Sequence, residues 1–271
     1  MEKHKHPLVT ILKYFFLYIA VALIAVPLLI YALAFAVENL IGDNGVSWVD
    51  VMDNKILDEV VLIVTNFIVI LLFVKKKYAN LNGLCRPFET VRRYKQVFGW
   101  AVLLELSALL PVNILVASLN LTDYIDITSS DPLGLLGILG VCLFAPLAEE
   151  LVMRGSIEEK LLQGKYHPAA AILLSSFLFA IVHGQPSLIV NAFLGGLLTG
   201  WVYYRTRNIL VCFIMHLTCN AFSCLYDYLQ PGNPISEFAY ETRMIFVALF
   251  CLIWMVFSIT KLQRWTAEMP Q

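Results

Sequence analysis

The chain has 271 residues, of which 59% are hydrophobic and 14% charged, with a net charge of -1 and a mean hydropathy of +0.76. An average soluble domain is about 25% charged, so this composition excludes a soluble domain on a single anchor. The near-zero net charge excludes the basic footprint of a nucleic-acid binder.

A membrane-spanning helix needs about 20 apolar residues. On that measure the sequence predicts an all-α polytopic membrane protein with about eight spans, near 14–38, 56–74, 97–118, 133–153, 168–184, 187–204, 208–225 and 244–260. The first run is too long for a signal-peptide core and no small-residue cleavage site follows it, so it reads as a retained helix. With the N-terminus in the cytoplasm and sides alternating, 17 of the 19 Lys and Arg residues fall inside, and only Lys55 and Arg243 fall outside. That bias is the positive-inside pattern. It predicts cytoplasmic N- and C-termini and an integral protein of the cell (inner) membrane. The outer segment 119–132 carries Asp123, Asp126 and Asp131 with no base, and the inner segment from Lys75 to Gln96 reads as a basic strip on an anionic leaflet. No repeat or linker divides the chain, so residues 1–271 read as a single membrane domain.

The six cysteines (Cys85, Cys142, Cys212, Cys219, Cys224 and Cys251) show no CxxC spacing and lie mostly within apolar runs. They read as small buried side chains, not as a disulfide framework.

The fourth run ends in Ala145-Pro-Leu-Ala-Glu149-Glu150-Leu-Val-Met-Arg154-Gly155. Charge in a membrane helix is expensive and is kept where it finds a partner or lines a cavity. Glu150 and Arg154 are i and i+4, so they share a face and pair. Glu149 is rotated by about 100° and is left over for other work. Pro146 lacks an N–H and frees a carbonyl nearby. Three later runs also carry polar groups: Phe179-xxx-His183, then Asn191 with Gly195, Gly196 and Gly200, then His216-xxx-Asn220. The first half of the chain offers no comparable set. Ser175, Ser176 and Ser187 read as packing or capping residues.

A carboxylate beside an imidazole can take a proton from water and pass it to a leaving group. An asparagine amide and a second imidazole can donate to a developing oxyanion. The same Glu and His residues could instead hold zinc. No HExxH and no GxSxG is present, and the spacing alone leaves both chemistries open.

The ordered trio Glu149-Glu150-xxx-Arg154, Phe179-xxx-His183 and His216-xxx-Asn220 resembles the three motifs of the CPBP family, the CAAX prenyl protease and bacteriocin-processing (Abi) intramembrane endopeptidases. The resemblance covers about 133–225. It implies a polar cavity between the fourth, fifth and seventh spans, in which Glu149 and His183 activate water and His216 and Asn220 form the oxyanion hole. Glu150, Arg154 and Phe179 would support them. The substrate class it implies is a membrane-anchored peptide or protein. The leading expectation needs no cofactor; the alternative is a metalloprotease with zinc on Glu149, His183 and His216. Two other functions compete: a non-enzymatic immunity or regulatory partner, and a proton-coupled transporter, the latter disfavoured because its ionisable groups sit in one half. Simple helix counting leaves Glu149 and His183 at opposite ends of their helices. A fourth helix running on to about Leu162 would bring Glu149 to its middle.

Overall fold

The structure is a computed structural model that describes residues 6–41, 47–79, 90–123, 134–229 and 242–267. Among the described residues every regular element is helical. In chain order they are α1 (Pro7–Leu40), α2 (Trp48–Met52), α3 (Lys55–Lys75), α4 (Val91–Ser118), α5 (Leu135–Gln163), α6 (Pro168–Ile181), α7 (Pro186–Thr206), α8 (Ile209–Leu229) and α9 (Thr242–Thr266). The turn residues at the starts are the ones their caps require. Ser47 and Asp50 form a reciprocal capping box on α2, Asn54 accepts from Leu57 N at 3.1 Å, and Thr90 accepts from Arg93 N at 3.1 Å.

Seven of these helices are long and apolar enough to cross a membrane, all but α2 and α6. The protein is an integral membrane protein. Of the roughly eight expected spans, the one at 168–184 corresponds to α6, which is apolar but shorter than these seven. That helix has 14 residues, about 21 Å at 1.5 Å per residue, against a hydrocarbon core of about 30 Å. It stops at Ile181 instead of 184 because the chain must reverse. Gly184 takes a left-handed φ of 72°, open to glycine at no steric cost, and Pro186 opens α7.

α5 is the central helix. Its Val152, Met153 and Ile157 pack with Ile11, Phe15, Tyr18, Phe73 and Phe179 in one core cluster. Its Leu151 faces the other cluster, with Leu104, Val202, Tyr203 and Met215. Glu59 of α3 fixes its start by accepting from Gly134 N at 2.7 Å. The helix runs 29 residues without a break, and Glu149 stands 14 residues from each end. The long fourth helix is therefore present, with Glu149 at its middle, and His183 lies in the turn just past the end of α6.

α5 is not uniform. Two π-helical turns, Gly140–Phe144 and Met153–Glu158, bracket the α-helical segment Ala145–Val152 that carries both glutamates. Such turns hold one extra residue and are common at functional sites.

The two ends of the bundle differ. At one end Asp123 accepts from Ser187 N at 2.9 Å and from the Ser187 hydroxyl, tying the α6–α7 turn to the chain that follows α4. At the other end Arg207 pairs with Glu159 at 2.7 Å, Arg205 donates to Thr266 at 3.0 Å, and Lys13 donates to Tyr78 at 3.3 Å. The Lys75–Gln96 strip lies partly outside the described residues, since 80–89 are not among them.

Candidate active site

Arg154 is the largest fully buried side chain. It is buried because four groups meet it. Its Nε lies 3.2 Å from Glu150 Oε2, with both side chains 0% exposed. Its Nη2 donates to the Gly196 carbonyl at 3.1 Å and to the Thr199 hydroxyl. Its guanidinium sits 5.1 Å over the Phe179 ring, a cation–π contact. The expected Glu150–Arg154 pair is thus formed, and it reaches across to α7. Gly196 also lets α7 close on α6: a Cβ there would lie 3.1 Å from Ser176 Cβ.

Glu150 has a second partner. His216 on α8 donates from Nδ1 to Glu150 Oε1 at 3.0 Å. With that carboxylate paired to Arg154 as the acceptor, the bond needs a proton on Nδ1. The other nitrogen, Nε2, then faces Glu149 Oε2 at 3.6 Å. His216 thus stands between two adjacent carboxylates of one helix. Glu149 and His216 keep 16% and 13% of their side chains exposed, whereas Glu150 and Arg154 keep none. The accessible edge of the cluster is therefore the Glu149–His216 contact.

His183 joins through the same aromatic ring. Phe179 lies edge-on to His183 at 4.8 Å and to His216 at 5.6 Å. His183 Nδ1 donates to the Phe179 carbonyl, 2.9 Å away, which leaves Nε2 as the acceptor nitrogen. Glu149 is within electrostatic range of both histidines. Asn220, one turn beyond His216, donates from Nδ2 to the Val141 carbonyl at 2.8 Å. That carbonyl belongs to the first π turn of α5. Asn191 stands apart from this group, with its amide 3.5 Å from Asn113 Oδ1. Ser175 and Ser187 donate to the Met153 carbonyl and to Asp123, as packing residues do.

These motifs lie in a segment that is similar to a known family. Residues 131–222 match the family model described as type II CAAX prenyl endopeptidase Rce1-like. This segment is therefore similar to the CPBP family. No curated protein and no solved structure matches the chain. The Rce1-like segment holds Glu149, Glu150, Arg154, Phe179, His183, His216 and Asn220.

Two side chains from the first half of the chain also reach the Rce1-like core, which sequence reading did not foresee. Glu105 of α4 is 5% exposed. It accepts from the Cys219 thiol and interacts electrostatically with His216, Glu150 and Arg154. Its Oε2 has no hydrogen-bond partner among the described residues. Tyr18 of α1 is buried within electrostatic range of Glu149. The signal for Glu105 was available. It is one carboxylate inside the apolar run of α4, Trp100-Ala-Val-Leu-Leu-Glu105-Leu, and an intramembrane carboxylate marks function by default.

Among the described residues, no three His, Cys, Asp or Glu side chains gather for a metal ion. Glu149 and His216 approach each other, but the zinc alternative needs a third ligand. Cys142 and Cys224 bring their sulfurs to 3.8 Å, beside the same π turn.

Proposed function

We propose that this protein is an intramembrane endopeptidase that hydrolyses a peptide bond in a membrane-anchored peptide or protein. The observation that carries the reading is the Glu149–His216–Glu150–Arg154 chain, with its accessible edge at Glu149, inside a segment matched by the type II CAAX prenyl endopeptidase model.

Glu149 is the base. Its carboxylate takes a proton from water as the water attacks the scissile carbonyl, and returns it to the leaving amine. His183 offers Nε2 to the same water, because its Nδ1–H is spent on the Phe179 carbonyl. Asn220 donates to the oxyanion that forms, and His216 joins it from Nε2 as an imidazolium, with Nδ1–H kept on Glu150. Asn220 uses one amide hydrogen on Val141 and has a second for this role. Glu150, backed by Arg154, fixes the His216 ring by accepting from Nδ1–H, as a carboxylate behind an imidazole does elsewhere. Cytoplasmic termini are supported by the gathering of Lys13, Arg205 and Arg207 at one end of the bundle. The cell membrane is the host this reading takes.

The test is cleavage by the purified chain in proteoliposomes, read by mass spectrometry on prenylated and unprenylated C-terminal peptides. A defined product that disappears with Glu149→Gln supports the reading. The same product at the parent's rate from Glu149→Gln overturns it and favours the non-enzymatic partner.

A further inference from the structure

We infer that Pro146 is a positioning residue: by leaving the Val141 carbonyl without a backbone partner, it provides the acceptor that orients Asn220. The inference rests on the assignment of Asn220 as an oxyanion donor, and adds what aims it.

The geometry follows from helix arithmetic. In the first π turn of α5 the bonds run from N–H of residue i to the carbonyl of i−5, and Ala145 N donates to the Gly140 carbonyl in that pattern. The next bond in the series would run from residue 146 to the Val141 carbonyl. Residue 146 is proline and has no N–H. Inside a membrane no water replaces the missing donor, so a neighbouring helix must. Asn220 of α8 does so, with Nδ2 at 2.8 Å from the Val141 oxygen.

This bond has two consequences. It ties α8 to α5 one helical turn beyond the His216–Glu150 bond, so two contacts fix the mutual rotation of these helices. It also fixes the Asn220 amide plane. With one amide hydrogen committed to Val141, the direction of the second is set by the planar geometry of the group. A free asparagine would sample several rotamers; this one is held in the orientation that an oxyanion donor needs before substrate arrives. The π turn, the proline and the asparagine are thus one device, although Val141 and Asn220 lie 79 residues apart in the chain.

Pro146→Ala supplies the missing N–H. The new backbone donor can then close the π-turn bond to Val141, and Asn220 loses its exclusive hold. The full chain in detergent is used for a two-by-two cycle of Pro146→Ala and Asn220→Leu, leucine having a similar volume and no donor. Thermal unfolding is the arm that does not depend on activity. Asn220→Leu should lower the unfolding midpoint by several degrees in the parent, because Val141 is orphaned. It should lower it by clearly less in the Pro146→Ala background, where the added backbone N–H serves that carbonyl. Equal losses in both backgrounds overturn the inference, as does an Asn220→Leu variant as stable as the parent. The second arm is peptide cleavage. Pro146→Ala should lower kcat by about tenfold, within the ~10²-fold that an ångström of misplacement can cost, and leave KM unchanged. In the Asn220→Leu background it should have no further effect. A multiplicative loss there assigns Pro146 a general structural role and overturns the inference. A chain that cleaves nothing but passes the thermal cycle keeps the Pro146–Asn220 device and removes the catalytic reading alone.

Discussion

His216 donates to Glu150 through Nδ1 at 3.0 Å, and the same carboxylate meets Arg154 at 3.2 Å through its other oxygen. In the proposed mechanism Glu150 therefore serves stability and chemistry together, while Glu149 beside it serves chemistry. The two glutamates should separate by measurement. Glu150→Gln should lower both the unfolding midpoint and the cleavage rate, because it weakens the arginine pair and frees the imidazole. Glu149→Gln should lower the cleavage rate and leave the midpoint near that of the parent. Matching stability losses in the two variants would contradict this division.

The Glu150–Arg154 pair is wholly buried. Removing one partner of a buried pair typically costs about 3–5 kcal/mol, whereas apolar replacement of both is often far less harmful. Arg154→Ala should therefore reduce folded yield in detergent, with lost contacts to Gly196, Thr199 and Phe179 adding to the effect. The double variant Glu150→Gln with Arg154→Met should recover part of the yield. Size-exclusion profiles decide it: the pairing is refuted by equal losses in the single and double variants.

Loss of a general base typically costs about 10²–10⁴-fold in rate. Glu149→Gln should fall in that range under single-turnover conditions. His183→Ala should also slow the chemical step, since its Nε2 is the nitrogen left available by the Phe179 carbonyl. A chelator should spare activity if Glu149 and the two histidines act without metal. Inhibition by chelation that added zinc reverses would instead make them ligands.

The three motifs were legible because each is local, with its members four residues apart in the chain. Glu150–Arg154 and Phe179–His183 meet as their spacing predicts. What spacing could not give was how the helices face each other. The contact of His216 with both glutamates spans 66 residues of sequence for Glu150, and nothing in either segment encodes it alone. Glu105 was passed over because a lone carboxylate has no local partner to draw attention to it. The length of α6 was misread because Ile181 to His183 is as apolar as the helix before it. The end is set by Gly184 and Pro186, whose effect lies in backbone conformation instead of hydropathy.

The glycines of α7 give a last prediction with its own control. A Cβ at Gly196 would lie 3.1 Å from Ser176 Cβ and 3.2 Å from its Cα, whereas a Cβ at Gly195 meets nothing within 4 Å. The two positions share the same helix and the same intrinsic penalty for glycine, roughly 0.8–1.0 kcal/mol relative to alanine. Gly195→Ala should therefore be neutral or stabilising. Gly196→Ala must push α6 away from α7, and overpacking typically costs about 1–3 kcal/mol. It should also disturb the site, because the Gly196 carbonyl accepts from Arg154 at 3.1 Å. Thermal unfolding and cleavage measured on the two variants side by side check this. A Gly196→Ala variant as stable and as active as Gly195→Ala would mean that the α6–α7 contact does not set the position of Arg154.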